Sequence, residues 1–481
     1  MLRKNPHFLI NPANPFQEDK LKRLSSAENL TTLIRTITQP FVLSINSPWG
    51  TGKTTFVKMW EAKLLKEGNP CLYFNAWESD FSDDPLISFI GEIESHIEKG
   101  NLNLTKKTKS SAYFKKIKKV GGQILRKTTP LGLKLLTSGL INNVDELKQL
   151  TNLTSDADKN IAEFIEKITE EKIKSYKAEK NAIEEFRKNL NGFIEVMMSE
   201  HETLKPPLVF FVDELDRCRP TYAIALLERI KHLFNVKGIV FVLSLDKEQV
   251  KHSIRALYGV GMDADGYLRR FVDLDFQLPK PDHEGFCYYL AEKFNLEEVF
   301  KKRPDGRNEK EQLLSVFIEM SKIFDLSLRV QEQCFTQFNV VLRTTQPHYS
   351  IHPRLLSFFV ALKAANTDLY QKYCNQQIGY QEIFNFIGKT KAGEKLINDK
   401  LGVLIEAYLK CGFLKRNEFD KLYLDVRETH KKAVESNQSS TDTERLQMLK
   451  KILDNFEDKD TYGTFPYLAN KIEISESFNQ T

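Results

Sequence analysis

The pattern of apolar positions along this chain changes character near residue 280. Upstream, unbroken apolar runs of strand length alternate with stretches in which apolar residues recur every three to four positions. The runs are Phe41-Val42-Leu43 with Ile45, then Cys71 to Phe74, Leu208 to Val212 and Gly238 to Leu245, and a last strand is expected at Val272 to Leu278. Between them, Phe56, Met59, Trp60 and Leu64, then Leu86, Ile90, Ile93 and Ile97, and later Val250, Ile254 and Leu257 follow helical spacing. A strand that is apolar at every position is buried on both faces, as in a parallel sheet. Alternation with helices therefore predicts a doubly wound parallel α/β sheet, with ligand at the C-terminal edge of its strands. An irregular arm, 1–18, and a helix from Glu18 with Leu21, Leu24, Leu30, Leu33 and Ile34 precede the first strand. From 284 to 478 the patterns are helical, which predicts a separate α-helical domain.

The α/β part is interrupted. Between Lys99 and Val144 lysines and arginines occur with no Asp or Glu among them, interleaved with apolar residues such as Phe114, Ile117 and Val120. This reads as a solvated insertion or as a basic amphipathic segment that meets anionic lipid or nucleic-acid phosphate. Gly121-Gly122 and Pro130 argue against one long helix there, and the apolar part near 131–141 is too short to span a bilayer. From Asp156 to Glu200 a charged helix or helical hairpin is expected. The expected organisation is an N-terminal arm and first half of a core over 1–98, a basic and helical insertion over 99–200, the second half of the core over 201–282, and a helical lid or C-terminal domain over 283–481.

The first strand leads into Ser47-Pro48-Trp49-Gly50-Thr51-Gly52-Lys53-Thr54-Thr55 and then a helix. That is the context of a phosphate-binding P-loop, or Walker A motif. Gly50 and Gly52 let successive N–H groups face a phosphate, and the helix N-terminus adds its partial positive charge. Lys53 can reach the β- and γ-phosphates of ATP, and the Thr54 hydroxyl can hold Mg²⁺. The pattern GxxxxGK[ST] would place Gly at position 47, where this chain has Ser47. The second half of the site is expected at Leu208 to Arg219, where a buried strand ends in Asp213-Glu214 as a Walker B motif does. Asp213 would bind Mg²⁺ and Glu214 would polarise the attacking water.

Composition narrows the rest. The chain has 481 residues, enough for two or three domains, and its net charge of +5 is too mild to point to nucleic acid. Six cysteines are scattered without a CxxC pair, as expected for reduced packing residues in a cytoplasmic protein. The first residues lack an apolar signal-peptide core, and no run of eighteen apolar residues suggests a transmembrane span. No metal-ligand set is visible among the nine histidines.

Read together, PWGTGKTTF, YFNAWESDF, FFVDELDRCRP, FVLSLDKEQV and YLRRFVDLDFQLP resemble the KAP family of P-loop NTPases, and the resemblance extends through LSLRVQEQ and HPRLLSFF to about residue 360. It implies an additional-strand NTPase core, a helical lid and a Mg²⁺-ATP site, with Asp213 and Glu214 as metal-binding and catalytic acids and Gly50 to Thr55 as the phosphate loop. Many relatives carry membrane-spanning helices between the two Walker motifs, whereas the 99–144 stretch here is too polar. Some bacterial relatives act against phages and plasmids.

The leading expectation is a Mg²⁺-dependent ATPase whose cycle drives conformational change in a larger assembly, through protein partners or self-association. A slow or non-hydrolysing ATP-switch scaffold is the alternative, and a small-molecule or nucleic-acid kinase a third class. An arginine that senses the γ-phosphate is expected. Arg269 and Arg270, before the last strand, are candidates for a finger acting on a neighbouring subunit. Arg354 is a candidate sensor in cis, with Arg329 the weaker choice.

Overall fold

The protein is described by a computed structural model that covers residues 10–82, 84–98, 109–127, 157–201, 203–347, 349–435, 440–458, 461 and 463–477. The chain divides into two compact units, Met1–Pro279 and Lys280–Thr481.

In the first unit, residues 10–23 are turns rather than helix, and α1 spans Leu24–Arg35. The Asp19 carboxylate accepts from the N–H groups of Leu21, Arg23 and Leu24, which offers this segment an alternative to helical bonding. Then follow β1 (Phe41–Asn46), α2 (Lys53–Lys66), β2 (Cys71–Asn75), α3 (Pro85–Glu98), α4 (Lys109–Lys127) and α5 (Ala157–Glu200). The second half of the unit holds β3 (Leu208–Asp213), a single 3-10 turn (Leu215–Arg217), α6 (Pro220–Leu233), β4 (Ile239–Leu245), α7 (Lys247–Tyr258), α8 (Ala264–Leu268) and β5 (Leu274–Gln277).

The five strands are all parallel and lie in the order β2-β3-β4-β1-β5. Strand β4 thus stands between the P-loop strand β1 and the acidic strand β3, as an additional-strand core requires. Every residue of β3 and β4 is buried, which accounts for their unbroken apolar runs. Edge strand β5 pairs only with β1 and is half-exposed, so only four residues of the Val272–Leu278 run are strand.

Helices cover both faces. On one, Ala27, Leu30 and Ile34 of α1 and Phe56, Trp60 and Leu64 of α2 pack on Ile45, Val209, Phe211, Val240 and Val242. The buried Trp60 indole donates to Thr31 Oγ1 at 2.9 Å and ties α2 to α1. On the other, Phe89 of α3 meets Phe74, Phe210 and Phe234 with ring centroids about 5 Å apart. Truncating such a residue to Ala typically costs about 3–5 kcal/mol.

The insertion contributes to this second face. Phe114, Ile117, Val120 and Ile124 of α4 and Phe186, Leu190 and Phe193 of α5 are buried in the same cluster. Helix α4 runs through Gly121-Gly122, contrary to the break expected there. A Cβ at Gly121 would lie 2.5 Å from Ile90 Cδ1, and one at Gly192 of α5 would lie 2.4 Å from the Tyr113 ring. These glycines permit close approach of packed helices. The apolar face of α4 is therefore spent on the core, and Lys115, Lys116, Lys118 and Lys119 are among its exposed residues. The apolar 131–141 stretch, and the parts of 99–144 on either side of α4, lie outside the described residues. Among the described residues no helix is long and apolar enough to cross a membrane.

The second unit contains only helices among its described residues, from His283–Lys293 to Phe465–Ser477. Its core is rich in aromatic rings, among them Phe317, Phe335 and Phe338, and Phe359, whose ring centroid is 4.2 Å from that of Phe465. All six cysteines of the chain are free.

Candidate functional site: a phosphate loop facing an acidic strand end

The loop after β1 is shaped by its glycines. Gly50 and Gly52 have φ of +75° and +85°, a region costly for any residue with a Cβ. Gly52 is the N-cap of α2 and caps it with no side chain, so the first-turn N–H groups are left for an anion. Ser47 explains its own departure from the motif. Its φ is not positive, so no glycine is needed, and its hydroxyl closes the loop on Thr51 Oγ1 at 2.7 Å. Thr51 Oγ1 also lies 2.8 Å from Pro48 O. Thr54 and Thr55 are half-buried in the first turn of α2.

Lys53 is 9% exposed, and its ammonium donates to Ser47 O and to Pro48 O, the latter at 3.2 Å. Burial holds its pKa below the ordinary lysine value, opposed by Asp216, Asp246 and Asp213 in that order. A buried cation set among acids and flanking uncapped N–H groups suits a polyphosphate.

Asp213 ends β3 and is buried. Its Oδ1 accepts from Glu214 N and its Oδ2 from the Tyr73 hydroxyl, both at 2.9 Å. Burial and the Asp213 carboxylate push the Tyr73 phenol far up, so it stays a donor. In register, Asp213 has Asn75 on one side and Ser244 on the other. Ser244 is fully buried and its Oγ has no partner within the protein. A buried hydroxyl left unsatisfied beside Asp213 points to a polar ligand there, since such a group is costly to leave unpaired. Glu214 follows in a left-handed conformation, φ +59°, with Oε2 accepting from Asn75 Nδ2 at 3.2 Å and Oε1 2.8 Å from an Arg217 guanidinium nitrogen.

The structure thus brings Lys53, Asp213 and the Asp216 turn to one end of the sheet, with Glu214 beside them. It also shows contacts that motif reading did not specify. Trp49 Nε1 donates to Asp216 Oδ2 at 2.5 Å and pins the phosphate loop to the acidic turn. Asp216 is buried, and burial raises its pKa against the opposing pull of Lys53 and of the Trp49 hydrogen bond. Arg23, 2% exposed, donates to Thr51 O and Pro279 O, both at 2.9 Å, while its Nε is buried without a partner. Burial pushes its pKa down to about 10, so it is still a cation at neutral pH. Nothing in the turn-forming sequence around Arg23 announced this contact; for Trp49 and Asp216, the unusual Trp in the loop and the third acid of DELD were the available signals.

Of the three candidate sensor positions, Arg269 and Arg270 belong to the first unit and Arg354 to the second. Arg269 and Arg270 are exposed directly after α8, and neither has a hydrogen bond or ion pair to Lys53, Asp213 or Glu214. Arg354 belongs to the second unit, in helix Pro353–Ala365, where its charge acts on Tyr408. Among the described residues no cluster of three or more His, Cys, Asp or Glu forms a ready metal cage. Mg²⁺ would be held by Asp213, the Thr54 hydroxyl and nucleotide oxygens, a donor set of the kind this ion takes in phosphate sites.

Comparison with known proteins adds a family. The model of the KAP family P-loop domain matches residues 23–346. No curated protein matches the chain. Among solved structures, the chain is similar to the Aeropyrum pernix ORC2 protein in its ADPNP–ADP complexes, at 10% identity and TM-score 0.32, covering 90% of this chain and 86% of that one. It is also similar to a DNA replication initiation factor at 11% identity and TM-score 0.25, covering 81% of this chain and 96% of that one. Both likenesses are too distant to assign a function.

Proposed function

Since the chain belongs to the KAP family of P-loop NTPases, we propose that it is a Mg²⁺-dependent ATPase whose nucleotide cycle drives conformational change in a larger assembly. The observation that carries this reading is the pairing of Lys53, at an uncapped helix N-terminus, with the buried Asp213 and the adjoining Glu214. Bound Mg²⁺ supplies charge neutralisation for the phosphates. The chain supplies the rest. Gly50 to Thr55 offer backbone N–H groups to the phosphates, and Lys53 leaves the loop carbonyls to meet them. Thr54 and Asp213 hold the metal, and Tyr73 fixes the Asp213 carboxylate through Oδ2. Glu214 takes a proton from water. The protein partner, or second copy, that receives the conformational change is also a proposal. So are a role against phages or plasmids and contact of the 99–144 segment with anionic lipid or nucleic acid.

A slow ATP switch is the second reading, favoured by the ion pair that engages Glu214. Steady-state turnover separates the two. In the ATPase, Glu214→Gln should lower turnover by about 10²–10⁴-fold while Mg²⁺-ATP still binds. Wild-type protein without turnover, or a Gln variant equal to it, would overturn the first reading. Activity per molecule that rises with concentration would support a trans finger at Arg269 or Arg270; Arg354→Ala lowering turnover at every concentration would support the cis sensor.

A further inference from the structure

Glu214 does not present free oxygens to water. Arg217 holds one and Asn75 the other, at 2.8 and 3.2 Å. The left-handed backbone at Glu214 starts the 3-10 turn Leu215–Arg217, so the residue three places on folds back against it. With its two oxygens engaged in this way, the carboxylate is not placed to accept a hydrogen bond from an attacking water. The Arg217 guanidinium also lies 5.5 Å from the ring centroid of Trp77, which is 52% exposed in the loop after β2. That loop is fastened to the same turn, since Arg219 donates to Asp80 Oδ2 through its backbone and to Asp80 Oδ1 through Nε. Arg217 is also near enough to Lys53 for the two cations to repel. Asp216, the residue before Arg217, accepts from Trp49 of the phosphate loop, so the turn that carries Arg217 abuts that loop.

A terminal phosphate carries more charge than Glu214 and three acceptor oxygens, and an arginine fork fits it. We propose that Arg217 is the γ-phosphate sensor of this site, moving from Glu214 to the terminal phosphate of a bound nucleoside triphosphate and so releasing the Glu214 carboxylate for water. The inference rests on Glu214 being the base in the proposed ATPase. The exchange is one of ion pairs, with no bond made or broken. It orders the cycle, because a diphosphate has no γ-phosphate to offer Arg217 and leaves Glu214 paired. Asn75 stays as a neutral donor that orients the freed carboxylate. Release also removes a cation from the face of Trp77, which makes that ring a reporter.

The test is the affinity of the full chain for Mg²⁺ with the non-hydrolysable imido analogue of ATP, and for Mg²⁺-ADP, by calorimetry. Wild type should prefer the triphosphate. Arg217→Ala should reduce that preference about 10-fold or more, the worth of a charge-assisted hydrogen bond, with ADP affinity within about twofold. Arg217→Lys should recover part of the preference, because it keeps the charge without the fork. The analogue should change tryptophan emission beyond whatever ADP does through Trp49, and that difference should vanish in Trp77→Phe. An unchanged preference in Arg217→Ala, or equal weakening of both nucleotides, would overturn the proposal. If the Ala variant does not fold, Arg217→Gln, which keeps a donor for Glu214, decides by the same ratio. The underlying reading fails separately: full turnover in Glu214→Gln removes Glu214 as base whatever the affinity ratio shows.

Discussion

Two helices leave the same edge of the sheet from adjacent strands and begin in opposite ways. Helix α7 follows β4 and is capped by its own chain, with Asp246 Oδ1 accepting from Glu248 N. Helix α2 follows β1 and starts from Gly52, with a left-handed backbone and no side-chain cap. A helix start needs partners for its free N–H groups, and Asp at the N-cap is among the best of them. The first helix satisfies that need internally and is structural. The second leaves it open next to a buried lysine, and forgoes roughly a few tenths of a kcal/mol of capping to do so, since its N-cap is glycine. Strands β1 and β4 pair along their whole length, so the contrast is local to the two loops.

The contrast can be broken most sharply at Lys53. Replacing it with Ala should lower nucleotide turnover by about 10²–10³-fold, as for loss of a single preorganised charge donor. Circular dichroism should show the fold retained, and turnover close to wild type would remove the phosphate loop from the site. Next comes Gly52→Ala, which puts a Cβ at φ +85°. The left-handed conformation then costs about 1–2 kcal/mol, and nucleotide affinity should fall with it; calorimetry that shows neither effect would mean the loop is not held in this shape. Asp246→Ala is the opposite case. Loss of the cap should cost about 1 kcal/mol in denaturant unfolding, with turnover reduced far less than by Lys53→Ala.

Much of this contrast was legible in the sequence, and the reasons differ by residue. Strands β3 and β4 are buried on both faces, so their apolar runs had no other reading. The phosphate loop was legible because glycine spacing reports a backbone requirement directly. Ser47 was visible only as a departure; its bond to Thr51 depends on a loop conformation that spacing does not encode. Helix α4 was misjudged at Gly121-Gly122 because a glycine pair looks the same whether it breaks a helix or lets Ile90 approach. Arg269, Arg270 and Arg354 lie at element boundaries, where sensors are expected. The Arg217–Glu214 pair was not legible inside DELDRCR, because only the positive φ of Glu214 folds Arg217 back on its neighbour. Arg23 was hidden because its partners, Thr51 and Pro279, are distant in sequence.

The smallest effect lies inside α2 itself, which differs from α7 in where it places an acid. Asp246 meets N–H donors at a helix start, whereas Glu61 sits in mid-helix, half-buried, with its pKa pushed up to about 7 by burial. His96 of α3 and Lys58 of α2 pull it back down, and the thiol of Cys71 and phenol of Tyr73 face it from β2. In the unfolded chain the same carboxyl ionises near 4.5. Between that pH and about 7 the folded state binds more protons than the unfolded one, so the stability contribution of Glu61 declines as pH rises and levels off above about 7. Glu61→Gln is neutral throughout and loses this slope. Its stability relative to wild type should therefore rise between pH 5 and pH 8, by on the order of 1 kcal/mol after allowing for partial exposure. Thermal unfolding of both proteins at the two pH values reads the difference. A relative stability that falls with pH would mean that the carboxylate is held charged by His96, and that α2 carries an ion pair where burial now dominates.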